Sequence, residues 1–182
     1  MNLSHIITLP IKEIEEKLNI KIKNNTISLG LDCASKTGYA LCKTNKENIY
    51  ISIGFINVDV KNIKNRDDRN QLRYNAIYEA LNSLIKKEYI IVIEDVYYGG
   101  NVLTLILLSR IGAIAWTISK IKSCKNIIWK TAVQARKALG LPCNKKKFIV
   151  KETLNTILGT SIENDDEIDA IVLGINGLIK EE

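Results

Sequence analysis

Residues 29–41 read LGLDCASKTGYAL, two apolar runs separated by a carboxylate and a short polar turn. The first run begins at Ile27 and ends on Asp32. The second resumes at Thr37, Gly38 and Tyr39 and continues to Cys42. A third extended run, YISIGFINV, covers residues 50–58. Three such runs joined by short turns predict an antiparallel meander. Beyond it the periodicity changes. Residues 67–85 place Leu72, Ile77, Leu81 and Leu84 at helical spacing. Residues 89–94, YIIVIE, form a continuous, β-branched run that ends on Glu94, as in strands covered on both faces. Residues 101–120 predict an apolar helix, 126–129 a strand, and 130–139, 145–158 and 165–178 three more helices. The expected fold class is α/β, a mixed sheet with helices on both faces.

The chain has 182 residues, which favours one main domain. Residues 1–25 are set apart as an N-terminal extension, with the domain proper over 26–182. In the extension Ile11, Ile14, Leu18 and Ile22 recur at spacings of three and four, which predicts a short amphipathic helix. A hydrophobic fraction of 46%, with two Pro and ten Gly, excludes a disordered or collagen-like chain. The first residues lack the charged start and unbroken apolar core of a secretory signal. The apolar segment 102–118 is short for a bilayer span and carries Arg110, so a buried helix is expected and no membrane partner. Cys33, Cys42, Cys124 and Cys143 form no CxxC, and a lone His5 cannot complete a zinc pattern. They read as reduced thiols of a cytoplasmic protein.

Carboxylates recur at element ends. Asp32 and Glu94 each close an apolar strand, and Glu163–Asp169 (ENDDEID) opens an apolar helix. Asp166 and Asp169 are three apart, so a helix sets them on one face. Taken singly, the helix acids could be dipole-favoured charge, and Asp32 a turn cap. Glu94 after four apolar residues needs a partner. Brought together, four carboxylates repel unless a cation or protons intervene. Oxygen ligands suit Mg²⁺, with Mn²⁺ as a substitute. Two such ions about 4 Å apart would clamp the attacking and leaving oxygens of a phosphodiester.

The net charge of +6 conceals segregation. Residues 120–151 hold ten Lys/Arg and no acid, whereas residues 152–182 hold eight acids and one Lys. A basic block beside an acidic one fits a phosphate-gripping surface flanking a metal pocket, against the alternative of a solvated helix face. Lys145, Lys146 and Lys147 stand where a turn enters a helix, a suitable place for a backbone phosphate. Tyr97 and Tyr98, followed by Gly99-Gly100, could stack on or wedge between bases.

LGLDCASKTGYAL, VIEDVYYGGN and DDEIDAIVLGI together resemble the RuvC family of Holliday-junction resolvases, within the ribonuclease H-like superfamily. The resemblance covers residues 26–180. It implies a ribonuclease H-like sheet and a homodimer that nicks a four-way DNA junction in pairs, with two Mg²⁺ per site. By position it implies Asp32, Glu94, Asp166 and Asp169 as metal ligands and catalytic residues, with Asp165 a rival to Asp166. It matches Tyr97 to a junction-contacting aromatic, and it sets Lys130 and Lys147 near the scissile phosphate, where either would stabilise the developing charge. The turn Cys33-Ala34-Ser35-Lys36 departs from the Pro-Gly of bacterial members, as does the N-terminal extension, and both suggest a divergent phage or mobile-element member. Two rivals keep the fold: a nuclease for hybrid or other branched nucleic acids, and a non-catalytic junction-binding module.

Overall fold

A computed structural model describes residues 2–34, 36–96, 101–143 and 147–180. The elements run β1 (Asn2–Pro10), α1 (Ile11–Leu18), β2 (Ile27–Asp32), β3 (Thr37–Thr44), β4 (Asn48–Ile56) and α2 (Arg66–Leu84). They continue with β5 (Ile90–Glu94), α3 (Val102–Ile121), β6 (Asn126–Lys130), α4 (Ala132–Ala138), α5 (Lys147–Leu158) and α6 (Asp165–Leu178). One six-stranded sheet has the order β1-β4-β3-β2-β5-β6. The expected meander is present as β2, β3 and β4, paired antiparallel. β5 and β6 add to β2 in parallel. The result is the expected mixed α/β sheet with helices on both faces.

Alternation along β2 divides the core. Leu29 and Leu31 join Ile77 and Leu81 of α2 and Ile111 and Ala115 of α3 in one buried cluster. Ser28, Gly30 and Asp32 have the opposite parity and face α6. α6 is buried almost along its whole length, in the second cluster with α1, α4 and α5. Its approach is set by glycine: a Cβ on Gly30 would stand 2.2 Å from Ala170 O and from Gly174 N. A Cβ on Gly38 would stand 2.3 Å from Asp166 O. Backbone therefore packs on backbone here, which fixes the start of α6 over the ends of β2 and β3.

Three features differ from the sequence reading. First, residues 2–10 form an edge strand antiparallel to β4, where only a helix was expected in the extension. Pro10 closes the strand and stands as the N-cap of α1, where the helix needs no N–H from it. Second, α1 stops at Leu18, because Asn19 turns left-handed (φ 51°), and Ile22 instead bridges to Ile179. Third, α3 is buried on one side only. Ile111, Gly112, Ala115 and Ile118 face the core, while Val102, Leu103, Ile106, Trp116 and Ile121 are exposed. α3 is long and apolar enough by composition to cross a membrane, but its inner face packs on α2 and β5. The buried helix expected is thus buried along one stripe only, where its surface fits against these elements.

Candidate active site

β2 and β5 are parallel neighbours, so both finish at the same edge of the sheet. That register carries Asp32 and Glu94 to one place with even parity, on the face covered by α6. Asp32 is buried beside the Glu94 carboxyl. Burial, then the hydrogen bond and charge of Glu94, then the charges of Asp169 and Asp166 push the Asp32 carboxyl up to about 10. Burial, then the charges of Asp32 and Glu94, raise the neighbouring Cys33 thiol, so this cysteine is an inert core residue and no nucleophile.

α6 supplies the other acids from its first turns. Asn164 caps the helix, its side chain accepting from Asp166 N–H. Asp166 is half-buried, and burial raises its carboxyl while Lys147 and Lys36 pull it down and Asp169 and Asp165 push it up. Asp169 is buried, with Oδ1 accepting from Arg136 Nη2 at 2.6 Å and Oδ2 accepting from Lys147 Nζ at 3.2 Å. Asp165 turns away to Lys151, at 3.2 Å. Lys147 is depressed by its own partial burial, but Asp169, with Asp32 and Glu94 behind it, holds its amine above the usual range.

Four of the residues singled out in the sequence, Asp32, Glu94, Asp166 and Asp169, thus share one electrostatic site, and Lys147 leans into it. Lys130 is level with Glu94 in the β5–β6 register, and its Nζ donates to Asn176 Oδ1 at 2.7 Å. Asn176 lies seven residues along α6 from Asp169, so the Lys130 amine is held deeper in the fold than Lys147. Tyr97, Tyr98, Lys145 and Lys146 lie outside the described residues. Among the described residues, no three Asp, Glu, His or Cys side chains stand close enough to hold one ion. Both oxygens of Asp169 are engaged by cations. The donor set nevertheless fits a hard divalent cation. It is all oxygen, and it is crowded with like charge that, after burial, pushes the Asp32 carboxyl up.

Sequence reasoning missed three residues. Arg136, on α4, is buried and paired with Asp169, and its Nε has no hydrogen-bond partner. Asn176 also donates to Ala135 O and so ties α4 to α6. Lys36, in the turn after Asp32, lies over the Phe55 ring at 3.9 Å and lowers Asp166. The signals available were weak: an arginine inside a basic block, an asparagine inside an apolar helix, and a lysine in a turn.

A search of curated proteins finds no match. Among solved structures, Thermus thermophilus RuvC in complex with Holliday junction substrate superposes with a TM-score of 0.65 at 10% identity, covering 82% of this chain and 91% of that one. A second Thermus thermophilus RuvC structure gives 0.60 at 11% identity, covering 85% and 99%. At such identities the likeness is one of fold. The family profile described as crossover junction endodeoxyribonuclease RuvC matches residues 28–176. That match spans both strand-end acids and the helix acids, and with it the chain belongs to the RuvC family of crossover junction endodeoxyribonucleases.

Proposed function

We propose that this chain resolves four-way DNA junctions by paired nicks, using Mg²⁺, two ions per site, as a homodimer. The observation that carries the reading is the meeting of Asp32, Glu94, Asp166 and Asp169 at one sheet edge, with Lys147 drawn in beside them. The ions would supply Lewis acidity toward the phosphate and a water nucleophilic at neutral pH. Asp32, between the other acids, would serve both ions; Glu94, Asp166 and Asp169 would complete the shells. Asp166 is favoured over Asp165 because its charge reaches Asp32, while Asp165 is engaged by Lys151. Lys147, whose side chain is 58% exposed, would leave Asp169 for a phosphate oxygen and stabilise charge that develops there. Lys130 would support that edge through Asn176. Tyr97, Tyr98, Lys145 and Lys146 are proposed as DNA contacts from their place in the sequence.

The homodimer is supported by the outer side of α3. A groove between α2 and α3 is lined by Tyr74, Tyr78, Arg110, Ala113, Ile114 and Thr117, and α3 also exposes Trp116 and Ile106. A second copy is the occupant that would supply two sites for two strands. The extension 1–25 is proposed as an addition to the family domain that is built into its sheet as β1 and its core as α1, with the family match starting at residue 28. The free thiols fit a reducing cytoplasm.

The test is a synthetic four-way junction with Mg²⁺. Symmetric nicks by the wild type that vanish in Asp32→Asn are expected. Cleavage confined to RNA–DNA hybrids, or junction binding without cleavage in Mg²⁺ or Mn²⁺, would overturn the reading.

A further inference from the structure

The basic block of residues 120–151 accounts for one side of the sheet only. A second set of cations stands on the other. Arg66, Arg69 and Arg73 fall at i, i+3 and i+7 on α2, so they form one stripe. β4 runs parallel to β2, and its Phe55 is level with Gly38, which is level with Asp32. The chain leaves β4 at the same edge as the acids, and after residues 57–65 it enters α2 there. α3 likewise starts just beyond Glu94. The first turns of α2 and α3 therefore stand at the catalytic edge, on the face opposite α6.

Between them lies a groove of about 290 Å³ lined by Arg66, Arg69, Asn70, Arg73, Leu103, Thr104 and Leu107. No carboxylate lines it. Among the described residues none of the three arginines is ion-paired, although Asp67 and Asp68 sit on the same helix. Among the described residues the one side-chain hydrogen bond their guanidinium groups make is Arg73 Nη1 donating to Asn70 Oδ1, at 3.4 Å. Both helix starts are already capped by asparagine side chains, so the groove's donors are the guanidinium groups themselves. From residue 66 to 73 a helix rises about 10 Å. One strand of duplex carries a phosphate each ~3.4 Å of axis, so that rise spans about three phosphates. Guanidinium forks bind phosphate oxygens in pairs, which makes arginine the suited residue.

We propose that Arg66, Arg69 and Arg73, in the groove between α2 and α3, form a second phosphate-binding track that holds the DNA backbone on the opposite face of the sheet from Lys147. It rests on the junction reading and adds to it. The lysines grip near the acids, and the arginines grip the strand as it passes over the edge, beside Leu103, which is 52% exposed.

The test is binding of a labelled four-way DNA junction in EDTA over a range of salt, with a circular-dichroism melt of each variant. R66Q/R69Q/R73Q is expected to bind roughly tenfold or more weaker, with the slope of log K against log salt shallower by about 2 to 3. R66Q alone, at an exposed position, is expected to lose about 0.9 of slope and keeps the test open if the triple variant does not fold. R66K/R69K/R73K should recover most of the slope. K12Q/K21Q, on α1 and just after it at the opposite edge, should bind within about twofold of wild type, as expected for charges away from the track. Wild-type affinity and slope in the arginine variants, while the wild type still cleaves the junction in Mg²⁺, overturns this inference alone. A wild type that neither binds nor cleaves junctions overturns the resolvase reading with it. Loss confined to RNA probes or to anionic vesicles, with junction binding intact, would also overturn the track.

Discussion

Arg136 Nη2 donates to Asp169 Oδ1 at 2.6 Å, with both side chains more than nine-tenths buried, while Lys147 reaches the other oxygen at 3.2 Å from a largely exposed position. One carboxylate is thus held by a fixed cation and by a movable one.

The fixed pair bears on stability. Replacing Arg136 by Leu leaves a buried carboxylate with a single outer partner, and breaking such a pair costs about 3–5 kcal/mol. Urea unfolding of metal-free Arg136→Leu should show this loss, with Arg136→Lys falling between. A loss below about 1 kcal/mol would mean that the pair is not maintained in solution.

The movable cation bears on rate. Its surface pairing is worth about 1 kcal/mol or less, so Lys147→Ala should unfold close to wild type. Removing a donor to developing charge costs about 10²–10³ in rate. Single-turnover junction cleavage should fall by that order. Cleavage within a few-fold of wild type would show that Lys147 does not stabilise the developing charge.

Asp32 fixes the sign of a pH dependence. Its carboxyl is raised to about 10 from 3.8, chiefly by burial and then by Glu94. Above its ordinary value the unfolded chain has lost this proton and the folded chain has kept it. The folded state then binds more protons, and stability falls as pH rises, by at most about 1.4 kcal/mol per unit. Metal-free protein should therefore lose stability from about pH 5 to 9, and saturating Mg²⁺ should flatten the trend by binding the deprotonated folded form. Asp32→Asn should raise the metal-free melting temperature at pH 7, remove most of the slope and abolish cleavage. A metal-free melting curve independent of pH would count against this origin of the shift.

Glycine contacts give a fourth prediction. A Cβ on Gly30 meets two backbone atoms of α6 at 2.2 Å, and neither can swing aside. Gly30→Ala should cost about 3 kcal/mol or more, the upper end for overpacking, and should lower cleavage beyond what its stability loss explains, because α6 carries Asp166 and Asp169. Gly159→Ala meets nothing within 4 Å and is strained only by its φ of +63°. It should cost about 1–2 kcal/mol and leave cleavage intact. Equal behaviour of the two variants in thermal melts and junction assays would refute the distinction.

The sheet and four acids were legible because local signals coincide with tertiary roles. Asp32 and Glu94 each end an apolar run at the point where a parallel pair must finish together, and Asp166 and Asp169 share a helix face by spacing alone. β1 was not legible, since NLSHIITLP lacks clear alternation and owes its extended state to pairing with β4. The bare outer face of α3 was hidden for a different reason: composition reports apolarity and not which side finds a neighbour. Arg136 looked like one charge among ten, and only the packing of α4 on α6 turns it toward Asp169. Asp165 and Asp166 were equivalent as letters; Lys151 separates them.

The backbone contact of α6 on β2 and β3 also acts as a mechanical datum. Where side chains fill the space between two elements, each substitution shifts the gap a little, and small shifts accumulate. Across Gly30 and Gly38 there is no such filler to vary, so drift elsewhere in the core cannot gradually slide the helix acids along the strand acids. The chain shares the fold of Thermus thermophilus RuvC at a TM-score of 0.65 and 10% identity, and within it these two glycines are what seat the first turns of α6 on the strands.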